Sequence, residues 1–323
     1  MSTSLDHLLP AADEALRCAD HAVRIELDPG GTAIRADRVV VADLPLPWPK
    51  PALAHPRLTP LAERLASSPV PTRLLAAVPG ADGPTGVVVY ERRGPVAARR
   101  RYRVDGAADL AAVGAALTDD PRAADRLLVE ALDEAPPTLL VCTQGSHDVC
   151  CGAEGSRLAA DLEAARPRIG PSGLVVRRVS HTGGHRFAPT AMTLPDGRMW
   201  AGLDVATTLG VLDRTIDPAA AATRCRGWWG AAPGPAQVAE RAVLALRGWG
   251  LDDLDRTVSA VEDDEGRWRC TIVTGDDTWT VEVTAGRTVP TITCRAVGGQ
   301  PVKPALEYSV AAVAPPGGRV HHR

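Results

Sequence analysis

Cys142, Cys150 and Cys151 crowd into one short stretch, and further along His181 and His185 flank a glycine pair in the run His-Thr-Gly-Gly-His. Thiolates and neutral imidazoles are the side chains that hold zinc, copper and iron–sulfur centres. Cys142 and Cys151 stand at C-x8-C spacing and the two histidines at H-x3-H. Cys142 closes the apolar run TLLVCT (138–143), a strand candidate, and Cys151 directly precedes the helix candidate GAEGSRLAADLEAA (152–165). The next strand candidate, LVVRRVS (174–180), ends at His181. A helix linking two parallel strands brings their C-terminal ends side by side, so the loops after 142 and after 180 become neighbours. Gly183 and Gly184 let the backbone turn tightly enough to aim both imidazoles at one point. A helix N-terminus favours the thiolate of Cys151. The pattern predicts a metal centre held by Cys142, Cys151, His181 and His185.

Two centres suit that donor set. Mononuclear zinc accepts two Cys and two His, although structural zinc usually shows C-x2–4-C knuckles. The wider gap gives a loop long enough to wrap a [2Fe–2S] cluster. Two neutral His in place of two thiolates leave such a cluster formally less negative and easier to reduce. Rieske centres of this kind span roughly −150 to +300 mV, against about −400 mV for plant-type ferredoxins. The closeness of His181 and His185 in sequence predicts that one iron takes both His and the other both Cys.

The elements around this centre read as α/β. Residues 1–134 form an N-terminal α/β unit, with a helix expected over 11–22 and strands over 23–28, 39–43, 72–78, 86–93 and 98–104. The Pro-rich loop 44–56 cannot be regular helix or central strand. The last two strands join through Gly94-Pro95, and helices are expected over 109–117 and 121–132. Pro136-Pro137 marks a boundary. Residues 135–216 then read strand, helix, strand, hairpin (191–194 and 199–203) and helix (205–212), the order of a thioredoxin-like layer. Residues 217–235 read as a linker with some helix, and 236–315 as a small C-terminal α+β module. That module has a helix from 237 ending at Gly248, then strands over 267–275, 278–286 and 290–297. Residues 316–323 read as a frayed tail. VPTRLLAAV (70–78) echoes PPTLLVCT (136–143), which suggests two related folds in tandem.

Composition narrows the setting. The 323 residues carry a net charge of −3, are 45% hydrophobic, and include seven Cys. The mild acidity argues against a nucleic-acid binder. No run of about eighteen uncharged apolar residues marks a membrane span. The N-terminus lacks the basic start and apolar core of a signal peptide. The cysteines are too sparse and uneven for a secreted disulfide scaffold. A cytoplasmic protein with reduced thiols is expected. Lysine is nearly absent against abundant Arg, a bias that reads as GC-rich coding.

CTQGSHDVCCGAEGSRLA (142–159) and HTGGHRFAPTAMTLPDGRMWAGL (181–203) resemble the sucrase/ferredoxin-like family. Its patterns are a C-T-x-G-x-x-D-x-C-C loop and H-x-G-G-H-[RK]-F-A. The resemblance is tight over about 136–215, and RGWWGAAPGPAQVAERAV (226–243) is also similar. It implies a thioredoxin-type fold around a [2Fe–2S] cluster held by Cys142, Cys151, His181 and His185. His147 stands where many relatives carry Arg, which bears on a surface contact near the cluster. The family name is no evidence of sucrose hydrolysis, because no carboxylate pair suited to glycoside chemistry stands out.

The function expected is that of a one-electron carrier with unidentified redox donor and acceptor proteins and no further organic cofactor. Two alternatives are a cluster-dependent reductase of a small molecule or disulfide, and a structural zinc module serving as an interaction platform. Cys150, His147 and Arg186 are candidate neighbours of the centre. Cys150 could be a spare ligand, a redox partner or a packed thiol. Arg177 and Arg178, on the preceding strand, could add to the positive charge that Arg186 supplies near a cluster. Cys18, Cys225, Cys270 and Cys294 read as buried small hydrophobes. The run Arg92, Arg93, Arg99, Arg100, Arg101 and Arg103 reads as a solvated hairpin, and Trp228-Trp229 as core. No dinucleotide fingerprint, Walker A loop, Ser-His-Asp pattern or HExxH motif is present.

Overall fold

A computed structural model describes residues 5–80, 86–165, 173–275, 277–317 and 321–322. In chain order the main elements are α1 (Cys18–Arg24), β1 (Arg38–Asp43), α2 (Thr59–Ala66), β2 (Thr72–Ala77), β3 (Gly86–Arg93), β4 (Val96–Arg103), α3 (Ala107–Ala116) and β5 (Leu128–Leu132). They are followed by β6 (Thr138–Cys142), α4 (Ser156–Ala165), β7 (Val175–Val179), β8 (Ala191–Leu194), β9 (Arg198–Trp200), α5 (Val205–Leu212), α6 (Pro218–Arg224) and β10 (Cys225–Trp228). The C-terminal part comprises α7 (Pro235–Arg247), β11 (Arg256–Glu262), β12 (Arg267–Thr274), β13 (Asp277–Val289), β14 (Ala305–Ala314) and β15 (His321–His322).

One mixed sheet carries ten strands in the order β10-β9-β8-β6-β7-β2-β1-β3-β4-β5. Its two halves repeat a topology. In the first, β2 and β1 are parallel, β3 is antiparallel to β1, and β4 is antiparallel to β3. In the second, β7 and β6 are parallel, β8 is antiparallel to β6, and β9 is antiparallel to β8. Each half places one helix after its first strand and another after its fourth. The halves meet where β2 and β7 end, at the antiparallel pair Ala77 and Val179. The tandem suggested by the sequence echo is therefore present, although β1, not β2, is the topological counterpart of β6.

The central strands are buried on both faces. In β1, Val39 and Val41 join a core that spans both halves and includes Leu75, Leu140, Met192, Trp228 and Trp229. Val40 and Ala42 face the opposite way, against Leu58, Leu61 and Leu65 at and within α2 and Leu110 and Val113 of α3. In the second half Leu139 and Val141 meet Leu158 and Leu162 of α4, Trp200 and Val211. That burial on both sides explains the continuous apolar runs in β1 and β6.

The second sheet is an antiparallel meander, β11 to β15, with the apolar face of α7 laid over it. It is clamped to the large sheet by a buried ionic network. Arg198 of β9 donates to Glu240 of α7 at 2.9 Å and to Asp252 at 2.6 Å, and Arg256 of β11 pairs with both carboxylates. The Arg256 guanidinium also lies 4.1 Å from the centre of the Trp228 ring.

Several local expectations need correction. Residues 23–28 are not a strand: Cys18, Ala22 and Ile25 share a helical face, and α1 extends to Arg24. Residues 11–17 are not helical. The helix expected over 121–132 is absent: 125–127 make a single 3-10 turn, and 128–132 are an edge strand whose backbone completes the ladder of β4. Residues 290–297 form no strand. Pro290 opens the stretch, and left-handed backbone at Arg295, Gly298 and Gly299 turns it back on the N-terminal segment. The short helix α2 and the strands β11 and β14 carried no strong sequence signal. Residues 217–235 contain α6 and the edge strand β10, and residues 321–322 pair with β14. Of the arginines of β3 and β4, Arg93 and Arg103 are exposed as expected, whereas Arg92, Arg99 and Arg100 are paired, on Asp37, Glu130 and Glu91.

Candidate metal centre

Cys142 is the last residue of β6 and is fully buried. Cys151 opens a wide helical turn, 151–155, that runs into α4. That turn can press on the strand end because residue 155 is glycine: a Cβ there would lie 1.9 Å from the carbonyl oxygen of Cys142. Gly152 similarly abuts the Cα of Gly145, at 2.5 Å from where its Cβ would be. His181 follows β7, and a glycine pair with left-handed backbone, φ +81° at Gly183 and +67° at Gly184, carries the chain to His185.

The donor atoms of Cys142, Cys151 and His181 all lie within 4.8 Å of one another. Among the described residues His181 Nδ1 is buried without a hydrogen-bond partner, which leaves it free to act as a donor to a metal. His185 stands on the same loop, its ring centre 6.1 Å from that of His181. Its Nδ1 lies 2.9 Å from Asp148 Oδ2 and 3.2 Å from Cys18 Sγ. The structure therefore gathers three of the four predicted ligands and turns one nitrogen of the fourth toward a carboxylate.

The surroundings favour negative sulfur at Cys142. A hydrogen bond from the Cys151 thiol holds Cys142 well below the ordinary thiol range. His181 and the backbone N–H groups of Thr182 and Gln144 add to this, against the opposing push of burial. The same sulfur–sulfur contact and burial push Cys151 up. Donors aimed at sulfur are what tune an iron–sulfur centre. Arg226 lies beneath the Gly-Gly turn, fully buried, donating to Gly183 O and to Thr32, with no ion-pair partner among the described residues. Burial lowers its pKa to about 10, while the sulfurs of Cys142 and Cys151 pull the other way. A buried guanidinium without a carboxylate is stable only beside compensating charge.

Of the other candidates, His147 stacks on His181 with ring centres 3.8 Å apart. Arg186 is largely desolvated, which lowers its pKa, with the Cys18 sulfur as its counter-influence. Arg177 pairs with Asp43 across the sheet. Cys225 and Cys270 are core residues as expected, whereas Cys18 and Cys294 are not simple packing residues: both meet Cys150. All seven cysteines are free thiols.

Four residues were not singled out from sequence. Asp148 occupies the Asp position of the Cys-rich pattern, so the pattern itself held that signal. Gln144, nearly fully buried, donates to Pro49 O and accepts from the His181 N–H, bracing the site against the Pro-rich loop of the first half. Arg73 of β2 donates to His181 O at 2.6 Å. Arg73 and Arg226 were indistinguishable from the other arginines by type alone. A cavity of about 500 Å³ is lined by Arg99, Arg101, Arg103, Arg177 and Arg178 and by none of these cysteines or histidines.

With this geometry established, the sucrase/ferredoxin-like family pattern matches residues 36–227, more than half of the chain. The chain belongs to the sucrase/ferredoxin-like family. No curated protein and no solved structure matches it. The family points to a redox-type role, and the match spans both halves of the large sheet and the whole Cys/His constellation. No helix among the described residues is long and apolar enough to cross a membrane.

Proposed function

We propose that this protein is a one-electron carrier whose [2Fe–2S] cluster is held by Cys142, Cys151, His181 and His185. The observation that carries this reading is the convergence of two buried sulfurs and an unpartnered imidazole nitrogen at the ends of two parallel strands. The donor set fits a cluster with two thiolates and two imidazoles, which would supply reversible one-electron chemistry. His185 has Nδ1 on Asp148, which leaves Nε2 as the atom it would offer the cluster. A carboxylate behind a ligating His orients the ring and raises its basicity. Strand order, with its parallel pair and antiparallel hairpin, supports a thioredoxin-like layer in the second half.

The residues of the chain would then divide the work. Backbone N–H groups of Thr182 and Gln144 stabilise the Cys142 thiolate, and Arg226 places positive charge below the site. Both favour the reduced, more negative state. His147, stacked on His181 at the half-exposed edge of the site, is the contact through which a redox partner protein would exchange the electron. Seven free thiols suit a reducing compartment, the cytoplasm.

Anaerobic purification with iron and sulfide quantitation tests the assignment. The expected protein is reddish, holds two irons and two sulfides per chain, and gives a Rieske-like EPR signal when reduced. His181→Cys should keep the cluster and lower its potential. An iron-free protein after iron-replete expression and anaerobic handling overturns the reading, and an unchanged potential in His181→Cys removes His181 from the ligand set.

A further inference from the structure

The thiols outside that centre form a second cluster. Cys18 opens α1, Cys150 precedes Cys151 in the Cys-rich loop, and Cys294 lies in the irregular stretch after β13. The Cys150 sulfur is 3.4 Å from that of Cys18 and 3.6 Å from that of Cys294. The carboxylate of Asp148 approaches Cys18 Sγ at 3.8 Å, and donor atoms of all four residues lie within 4.8 Å of one another. Sulfurs bound to one zinc at about 2.3 Å stand about 3.8 Å apart by tetrahedral geometry, close to the spacing seen here.

The backbone is arranged around these sulfurs. The N–H of Ala19 is directed at the Cys150 sulfur and that of Cys18 at the Cys294 sulfur. Arg295 N–H donates to Leu16 O at 2.7 Å and Gly298 N–H to Glu14 O at 2.8 Å, clamping the C-terminal stretch on the N-terminal segment. Arg295 adopts φ +60° to do so, a left-handed conformation that costs a non-glycine residue energy. One turn along α1, His21 is 2% exposed and neither ring nitrogen has a hydrogen-bond partner among the described residues. It lines a small cavity with Cys18 and His185, so the pocket beside the thiols also holds a free nitrogen donor.

We propose that Cys18, Cys150 and Cys294, with Asp148 as fourth donor through Oδ1 while its Oδ2 stays on His185, form a zinc site beside the Cys142–Cys151–His181–His185 centre. Three sulfurs converging from three distant segments suit a tetrahedral ion, whereas a disulfide would join two and strand the third. Zinc binding would release the thiol protons to solvent and staple the N-terminal helix, the Cys-rich loop and the C-terminal module together.

The test is metal analysis of the full chain with its iron centre intact. One zinc per chain is expected beside the iron. Cys294→Ser, at a half-buried position the fold should tolerate, and Cys18→Ser should each lose the zinc while keeping iron and the visible spectrum. Cobalt added to the reduced, zinc-stripped protein should give the intense bands of tetrahedral thiolate coordination, absent in both variants. Unchanged zinc in both variants overturns the proposal. So does a zinc-free protein that takes up no cobalt, or one isolated with a Cys18–Cys150 disulfide and no zinc. Loss of iron with zinc retained would instead count only against the iron–sulfur reading.

Discussion

The two halves of the ten-stranded sheet share a topology and differ in what stands at their strand ends. Where β6 ends in Cys142, β1 ends in Asp43, which accepts from Gly86 N–H and pairs with Arg177. Where the second half follows its first strand with a Cys-rich loop, the first half has a Pro-rich loop whose Pro49 carbonyl supports Gln144. The first half thus serves as a buttress, and the second carries the donors. The C-terminal module reinforces the same asymmetry, since its ionic clamp grips β9 of the second half. Repeated topology supplies equivalent places for side chains, and only the residues there decide whether a place becomes a site.

The largest expected effect opposes those equivalent positions. Cys142→Ser should cost the protein its iron, exceeding the ~10–100-fold affinity loss typical of an outer-shell change, while Asp43→Ser leaves iron content intact. Equal iron loss in both, by metal analysis, would break the division between carrier half and buttress half.

The clamp comes next. Glu240→Ala leaves Arg198 and Arg256 short of a buried partner and should destabilise the chain by about 3–5 kcal/mol in urea unfolding. Breaking Arg92–Asp37 in the first half, a partly exposed pair, should cost at most about 1 kcal/mol. Comparable losses would show that the module supports both halves equally.

Smaller still, Gln144→Ala removes the bridge between the halves and leaves the His181 N–H unmatched. A loss of about 1–3 kcal/mol is expected, together with a shifted redox potential. An unchanged potential would show that the buttress does not reach the centre.

The smallest effect concerns the hairpins. Asp196, in the turn between β8 and β9, is pushed up to about 6 by burial and by the negative charge of Asp252. The folded state therefore keeps a proton that the unfolded chain releases near pH 3.9. Stability from this group is present below about pH 4 and lost as pH rises through about 6. Asp196→Asn should gain on the wild type across that window in unfolding midpoints and hold its gain above it. A pH-independent difference would sink the assignment. No aspartate or glutamate occupies the first half's turn at Gly94-Pro95, so that hairpin should show no such slope.

Much of the fold was legible in strands such as β1, β3, β6 and β7, where β-branched and aliphatic runs end at Gly or Pro signals. Legibility failed where tertiary pairing outweighed local pattern. Residues 128–132 carry helical spacing yet complete the β4 ladder, and 290–297 alternate like a strand yet turn at Arg295 and Gly298. At the site, the types and spacing of Cys142, Cys151, His181 and His185 were readable because metal ligation limits which residues can serve. Arg226 and Gln144 were not, because an arginine or glutamine matters there only through what surrounds it.

The sequence by itself determined the donor types, their order along the chain and the family. Which donors meet from distant segments was decided by the tertiary structure alone. Cys18 and Cys294, nearly the length of the chain apart, read as isolated core thiols, and the shortest sulfur contacts around Cys150 arise because α1 and the C-terminal module fold onto one loop. Spacing encodes proximity only within a local unit such as β6–α4–β7; between distant segments, proximity follows from the packing of the whole.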